Sequence, residues 1–338
     1  MLFRLLCLVF LSSSFIACDD GPILNAVGSY SDVAILTSTP LLPAATTLQR
    51  QLAQQVEYSL RPEPMLVVDI FDMRDKNDAA KYKNVIVIGI VGGKDDSSRE
   101  LQRQLSGENM KGIAPRELYL ATREDVYAGN QNVLFLAGVE RNLMQSAIQG
   151  QAAALRGQIE ASNRERVREY LFSLGHNVPV EDQIRRVGGF RLQVPEGYEG
   201  TRFFEGEESG SIEIAARNPT RTVAVMWRGA IEDAAVLEDQ AALLEQRRHW
   251  GEIYLEEELQ DAGGYTWSTV SFMGAELPML AGYWSGETYG GPFRSIFYYD
   301  ESSKRLYGIN WLCYAPNLPK HIYMRETQAI AETFEPRQ

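Results

Sequence analysis

Cysteine is almost missing from this chain. Three occur, at positions 7, 18 and 313. The first two fall in an N-terminal stretch that reads as processed or modified. That leaves Cys313 alone in the mature domain and excludes an internal disulfide. A chain this long can bury enough core without one. Histidine is equally scarce. His176, His249 and His321 lie far apart, none with a spaced partner, so no metal-binding motif is expected. Long apolar runs are also missing: none reaches the roughly 20 residues that cross a bilayer. No low-complexity run exceeds a few residues. Positive charge is in deficit, with 33 Lys and Arg against 45 Asp and Glu, a net charge of −12. Nucleic acid is excluded as a partner, because phosphate backbones demand a basic face. Adhesion to anionic lipid beyond an anchor is disfavoured too, and an acidic surface keeps a tethered protein in solution.

What is present begins with an address. Arg4 precedes a short apolar run, Leu5 to Leu11, followed by Ser12-Ser13-Ser14 and then Phe15-Ile16-Ala17-Cys18. A basic start, a short apolar stretch and small residues make a secretory signal. A small residue directly before a cysteine resembles the bacterial lipoprotein box, with Phe15 in place of the usual leucine. Residues 1–17 are then the signal peptide, and Cys18 is the lipid attachment site, carrying palmitate-type chains. Two or more such chains anchor stably, at about 0.8 kcal/mol per buried methylene. Residues 18–30 form the anchor and a short tether, with Asp19-Asp20 at its neck. The expected partner there is the lipid bilayer, and the expected location is the cell envelope: outer membrane, periplasmic or surface-facing, with the inner membrane left open.

The hydrophobic share of 45% and charged share of 23% are those of a globular protein. Residues 31–176 alternate strands and helices: strands at Asp32–Thr37, Met65–Phe71, Asn84–Val91, Glu117–Thr122 and Asn132–Gly138, then a long helix over about Glu140–Leu174. The order suggests a ferredoxin-like α+β sandwich. "GHNVPVED" (Gly175–Asp182) stops one helix with glycine and restarts with proline, marking a boundary. Residues 184–336 are richer in strands: Phe190–Tyr198, Ser211–Arg217 and Thr222–Gly229, a helix Asp233–His249, "EIYLEEEL" (Glu252–Leu259), long hairpins to Pro316, and a helix after Pro319. This order predicts a PsbP-like antiparallel α/β/α sandwich, a comparison of architecture alone.

Six strings carry a closer resemblance: "RPEPM" (Arg61–Met65), "KNVIVIGI" (Lys83–Ile90), "VYAGNQNVLFL" (Val126–Leu136), "LQVPEGY" (Leu192–Tyr198), "GYWSGETYGGPF" (Gly282–Phe293) and "CYAPNLPKHIYMRETQAI" (Cys313–Ile330). In order and spacing the chain resembles domain-of-unknown-function family 4837, envelope lipoproteins of Bacteroidota type, from about Gly28 to Phe334. The strongest motifs are Gly290-Gly291-Pro292-Phe293 and Tyr314-Ala315-Pro316 with Lys320. The chain departs from the family at Leu60-Arg61, at Lys83 and at Tyr289, where the family tends to have methionine. The resemblance implies a lipid-anchored envelope protein. It implies no activity and no site residues.

Reactive motifs are not found. "GIVGGKDD" (Gly89–Asp96) lacks the spacing of a phosphate-binding loop, because Asp95 follows Lys94, and it reads as a tight strand-to-helix turn. There is no nucleophile elbow. Cys313 alternates with Trp311 and Ile309 and should face the core. No catalytic residue, metal or cofactor is expected. The strongest surface is Trp284, Glu287, Tyr289, Gly290 and Gly291: aromatics beside an acid can grip a sugar or peptide, and paired glycines let a backbone approach. The competing reading is a glycine turn inside an aromatic-rich sheet. Function is therefore expected to be non-enzymatic binding or support of another envelope component, protein or glycan. The alternatives are a hydrolase or transferase acting on envelope polymer near Glu287, and a plain structural spacer.

Overall fold

The computed structural model describes residues 24–336 except 57–62, 109, 111, 207, 257, 260–263 and 288. The expected signal 1–17 and Cys18 lie outside the described residues. From Asn25 onward the expected tether is laid onto the protein: Ala26 N donates to Gly129 O, and Val27 N and Gly28 N donate to Lys81 O.

The N-terminal half holds β1 (Asp32–Thr37), α1 (Leu42–Leu52), β2 (Gln55–Val56), β3 (Glu63–Pro64), β4 (Val67–Asp72), α2 (Lys76–Ala79), β5 (Asn84–Ile90), α3 (Asp96–Gln104), β6 (Tyr119–Glu124), β7 (Asn132–Gly138) and α4 (Met144–Phe172). Its main sheet runs β4-β1-β5-β7-β6. The first three pairings are parallel, with Ile35 opposite both Ile70 and Ile86, and Ile86 opposite Leu134; only β6 is antiparallel to β7. Helices cover both faces. α1 and α4 bury Val33, Ile35, Ile86, Ile88, Leu134 and Leu136 on one side, and α2 and α3 cover Ala34, Val85, Val87 and Phe135 on the other. Burial on both faces is why β5 and β7 are apolar without alternation.

This sheet corrects the ferredoxin-like expectation. Asp72–Asn84 reads from sequence as a link between adjacent antiparallel strands. Instead Met73–Asp75 and α2 form a short helical crossover that carries β5 past β1 and returns it parallel. Four residues of helix are too few to leave an apolar periodicity, so the crossover was invisible.

The C-terminal half holds α5 (Val178–Gly188), β8 (Glu199–Phe204), β9 (Ser209–Ala216), β10 (Thr220–Arg228), α6 (Gln240–Trp250), β11 (Glu258–Leu259), β12 (Thr266–Phe272), β13 (Ala275–Ser285), β14 (Gly290–Asp300), β15 (Arg305–Tyr314) and α7 (Lys320–Ala331). Its antiparallel sheet runs β11-β13-β14-β15-β10-β9-β8, with β12 also on β13. One register row, Ile296–Ile309–Val225–Ile212, faces α5 and α7; the next row, Ser295–Asn310–Ala224, faces α6. The sheet is thus the middle of three layers. Two expected strands are not strands. Phe190–Tyr198 runs over the core with only isolated bridges at Arg191 and Pro195. "EIYLEEEL" extends α6 by a wide helical turn over Gly251–Leu255, which buries Tyr254 and Leu255, before the two residues of β11.

α7 joins the halves. One face lies on β15 and β10, the other on α4. At that seam Arg325 makes a buried two-pronged pair with Glu160, Nη2 to Oε1 and Oε2 both at 3.0 Å, and its Nη1 donates to Ser31 Oγ at 3.1 Å. Glu63 accepts from Lys320 N at 2.7 Å, and its carboxylate lies 3.5 Å from His321 Nδ1.

Candidate functional site

The β13–β14 hairpin pairs Ser285 with Gly290 and Trp284 with Gly291 across a loop of residues 286–289, closed by Gly286 N donating to Tyr289 O at 2.7 Å. The five residues singled out from sequence lie here, and the structure divides them. Trp284 is 4% exposed and belongs to the core under α6. Gly290 and Gly291 sit where a Cβ would fall 2.4 Å from Trp284 O and 2.1 Å from Cys313 O. The backbone that approaches these glycines is the chain's own. Glu287 and Tyr289 are the surface. Tyr289 is 49% exposed and stands edge-on to Trp284 at 5.6 Å, with the tilted Tyr314 ring at 5.3 Å. An aromatic held on two neighbours presents a rigid ring at little entropic cost. Glu287 is exposed in the same loop.

Beneath the hairpin lies a buried polar cluster that sequence reading missed. Arg247, fully buried on α6, points Nε at Ser295 Oγ (3.2 Å) and Asn310 Oδ1 (3.3 Å), and Ser295 Oγ donates to Asn310 Oδ1 at 2.7 Å. Its guanidinium lies 4.8 Å from the Phe293 ring. The available signal was a polar residue inside each apolar strand, Ser295 in "FRSIFYY" and Asn310 in "YGINWLC".

The reactive side chains are engaged elsewhere. Cys313 is fully buried, and burial pushes its thiol up to about 12. His321 is buried at the seam; burial first, and Arg325 next, hold it below the ordinary histidine range. His249 is exposed near the end of α6, and His176 stacks on Phe172 with Nδ1 2.9 Å from Glu181. Among the described residues no cluster of His, Cys, Asp and Glu could hold a metal. The "GGKDD" turn is closed by the chain itself. Asp95 accepts from Ser98 N (3.0 Å), Ser97 Oγ (2.9 Å) and Ser98 Oγ (2.8 Å), and Ser38 Oγ accepts from Ser97 N at 2.9 Å. Burial works against the Asp95 charge, but the serine hydrogen bonds outweigh it and hold the carboxyl below the usual range. A carboxylate of the chain occupies the place an incoming phosphate would need.

Among described residues no helix is long and apolar enough to cross a membrane. One solved structure is similar: the "Crystal structure of LpqN involved in cell envelope biogenesis of Mycobacterium tuberculosis", at 16% identity, over 44% of this chain and 83% of that one, with a TM-score of 0.26. No curated protein matches the chain. The model of the family described as "Domain of unknown function (DUF4837)" matches residues 254–333, from the end of α6 through α7, a shorter stretch than the resemblance from Gly28 to Phe334. Over those residues, which contain the hairpin and the helix that joins the two halves, the chain is similar to the DUF4837 family.

Proposed function

We propose that this protein is a lipid-anchored envelope component that binds or supports another envelope molecule, protein or glycan, without catalysing a reaction. The observation that carries the reading is the contrast at the hairpin: Tyr289 and Glu287 face solvent on a rigid base, while Cys313 and His321 are buried in packing and pairing. Exposed, pre-ordered aromatics are what binding surfaces use. The anchor is Cys18, in the envelope location the N-terminal pattern implies. The antiparallel sheet between helix layers supports the PsbP-like reading of the C-terminal half.

A hydrolase centred on Glu287 has less support. A carboxyl becomes a proton donor at neutral pH through burial, and Glu287 is exposed in a loop. The test is a photo-crosslinking residue at position 289 of the full-length chain in cells, with the same residue at exposed Glu252 as control. A specific adduct formed from 289 and not from 252 is expected. Equal background from both would overturn the binding reading. Metabolic labelling with an alkyne fatty acid should mark the wild type and not Cys18→Ala.

A further inference from the structure

Positive charge is scarce in this chain, yet four arginines converge on one cavity. Arg185 and Arg186 come from the last turn of α5, Arg191 from the segment after it, and Arg305 from the start of β15. They line a cavity of about 480 Å³ whose wall, among the described residues, contains a single carboxylate, Glu205. Four guanidinium groups around one concavity repel one another, and clustering them raises the local potential for anions. The dipole at the end of α5 accounts for positive charge near that helix terminus. It does not account for convergence from three separate segments.

Arg305 is held in place, and the Arg191 backbone is tied down. Arg305 Nη1 donates to Gly188 O at 2.9 Å, and its guanidinium lies 5.6 Å from the buried Trp227 ring. The Arg191 backbone pairs with Glu335 in both directions. Arg185 contacts Asp182 at 3.2 Å and Arg191 contacts Glu335 at 3.6 Å, both pairs being solvent-exposed. Arg186 and Arg305 have no ion pair among the described residues. A second cavity of about 250 Å³ shares Arg185 and Arg191 as walls and is lined further by Gln193, Thr333 and His176 and by the carboxylates Glu181 and Glu335, which sit beside His176 and Arg191. The pair of cavities therefore has a strongly cationic end and a polar end. The guanidinium fork matches phosphate oxygens in geometry and charge. Amides and hydroxyls match a sugar or polyol.

We infer that this cleft binds a phosphorylated polyol, with its phosphate among Arg185, Arg186, Arg191 and Arg305 and its hydroxyls toward Gln193 and Thr333. The inference does not rest on the hairpin reading, because the two surfaces share no residue. The phosphate can belong to a soluble sugar phosphate or to a phosphoglycerol lipid headgroup.

The test is calorimetric titration of the mature chain with glycerol 3-phosphate, inorganic phosphate and glycerol at fixed ionic strength, and sedimentation of the non-acylated chain with phosphatidylglycerol or phosphatidylcholine vesicles. Saturable binding of glycerol 3-phosphate is expected, at least tenfold tighter than inorganic phosphate, with none for glycerol. Arg186→Gln should weaken it at least threefold and Arg186→Gln/Arg305→Gln at least thirtyfold, while Tyr289→Ala leaves it unchanged. Arg186 is exposed and has no ion pair among the described residues, so its single variant tests the site even if the Arg305 change harms folding. Co-sedimentation with phosphatidylglycerol that glycerol 3-phosphate displaces would assign the lipid source, and soluble binding without it the free phosphate. No saturable phosphate binding, or binding that Arg186→Gln leaves intact, would overturn the inference.

Discussion

At the residue scale, the hairpin separates structure from surface. Gly291→Ala would drive a Cβ against the Cys313 carbonyl at 2.1 Å, a backbone atom that cannot rotate away. β14 and β15 would have to part, and the cost should be about 1–3 kcal/mol, read from the urea midpoint. Tyr289→Ala removes only ring contacts and should cost about 0.5–1.5 kcal/mol. If both variants lost the same stability, the division between buried frame and exposed tip would be wrong. His321 gives a pH prediction. Its folded value lies below the ordinary 6.5, chiefly through burial. A histidine depressed on folding is neutral in both states above 6.5. Below that, the unfolded chain binds a proton that the folded chain resists, so stability falls as pH falls, with a limiting slope of about 1.4 kcal/mol per pH unit. Midpoints at pH 7 and 5.5 should therefore converge in His321→Gln relative to wild type. An unchanged difference would remove His321 as the cause.

At the scale of single elements, ends are decided by small polar contacts. Asp95 caps α3 with three hydrogen bonds. Asp95→Ala should cost about 1 kcal/mol, measurable by thermal unfolding, and would free the helix terminus that the carboxylate now occupies. A cost near zero would mean that Ser38 alone secures that end. Element type was readable wherever the apolar pattern ran long enough: β5, β7, α4 and the β13–β15 hairpins stand close to where periodicity put them. The short α2 and the wide turn after α6 were not readable. In "EIYLEEEL" the spacing of Ile253 and Leu255 suits a strand, but Tyr254 and Leu255 are the residues buried beneath α6. That core overrides local preference.

For the whole molecule, the seam under α7 is the point of greatest leverage. Arg325→Met leaves Glu160 buried without its partner and should cost about 3–5 kcal/mol. Pairing it with Glu160→Leu should restore most of that loss, because a well-packed apolar pair replaces a desolvated one. Urea unfolding followed by circular dichroism gives both numbers. A single-variant loss below 1 kcal/mol would show that α7 is held by its apolar face alone. The seam explains why Glu63, Glu160 and Arg325 looked unremarkable in sequence: they stand far apart along the chain and acquire meaning only where α4 meets α7.

The sequence by itself determined the mixed make-up of strands and helices and the burial of Cys313. These follow from local features: apolar period and turn residues. Tertiary structure decided the rest. It made the N-terminal sheet parallel, turned Trp284 and the paired glycines inward while leaving Tyr289 and Glu287 out, buried Arg247 over Ser295 and Asn310, and gathered Arg185, Arg186, Arg191 and Arg305 at one cavity. Each of these depends on which segments meet across long stretches of chain, and a residue's neighbours in space leave no mark on its neighbours in sequence.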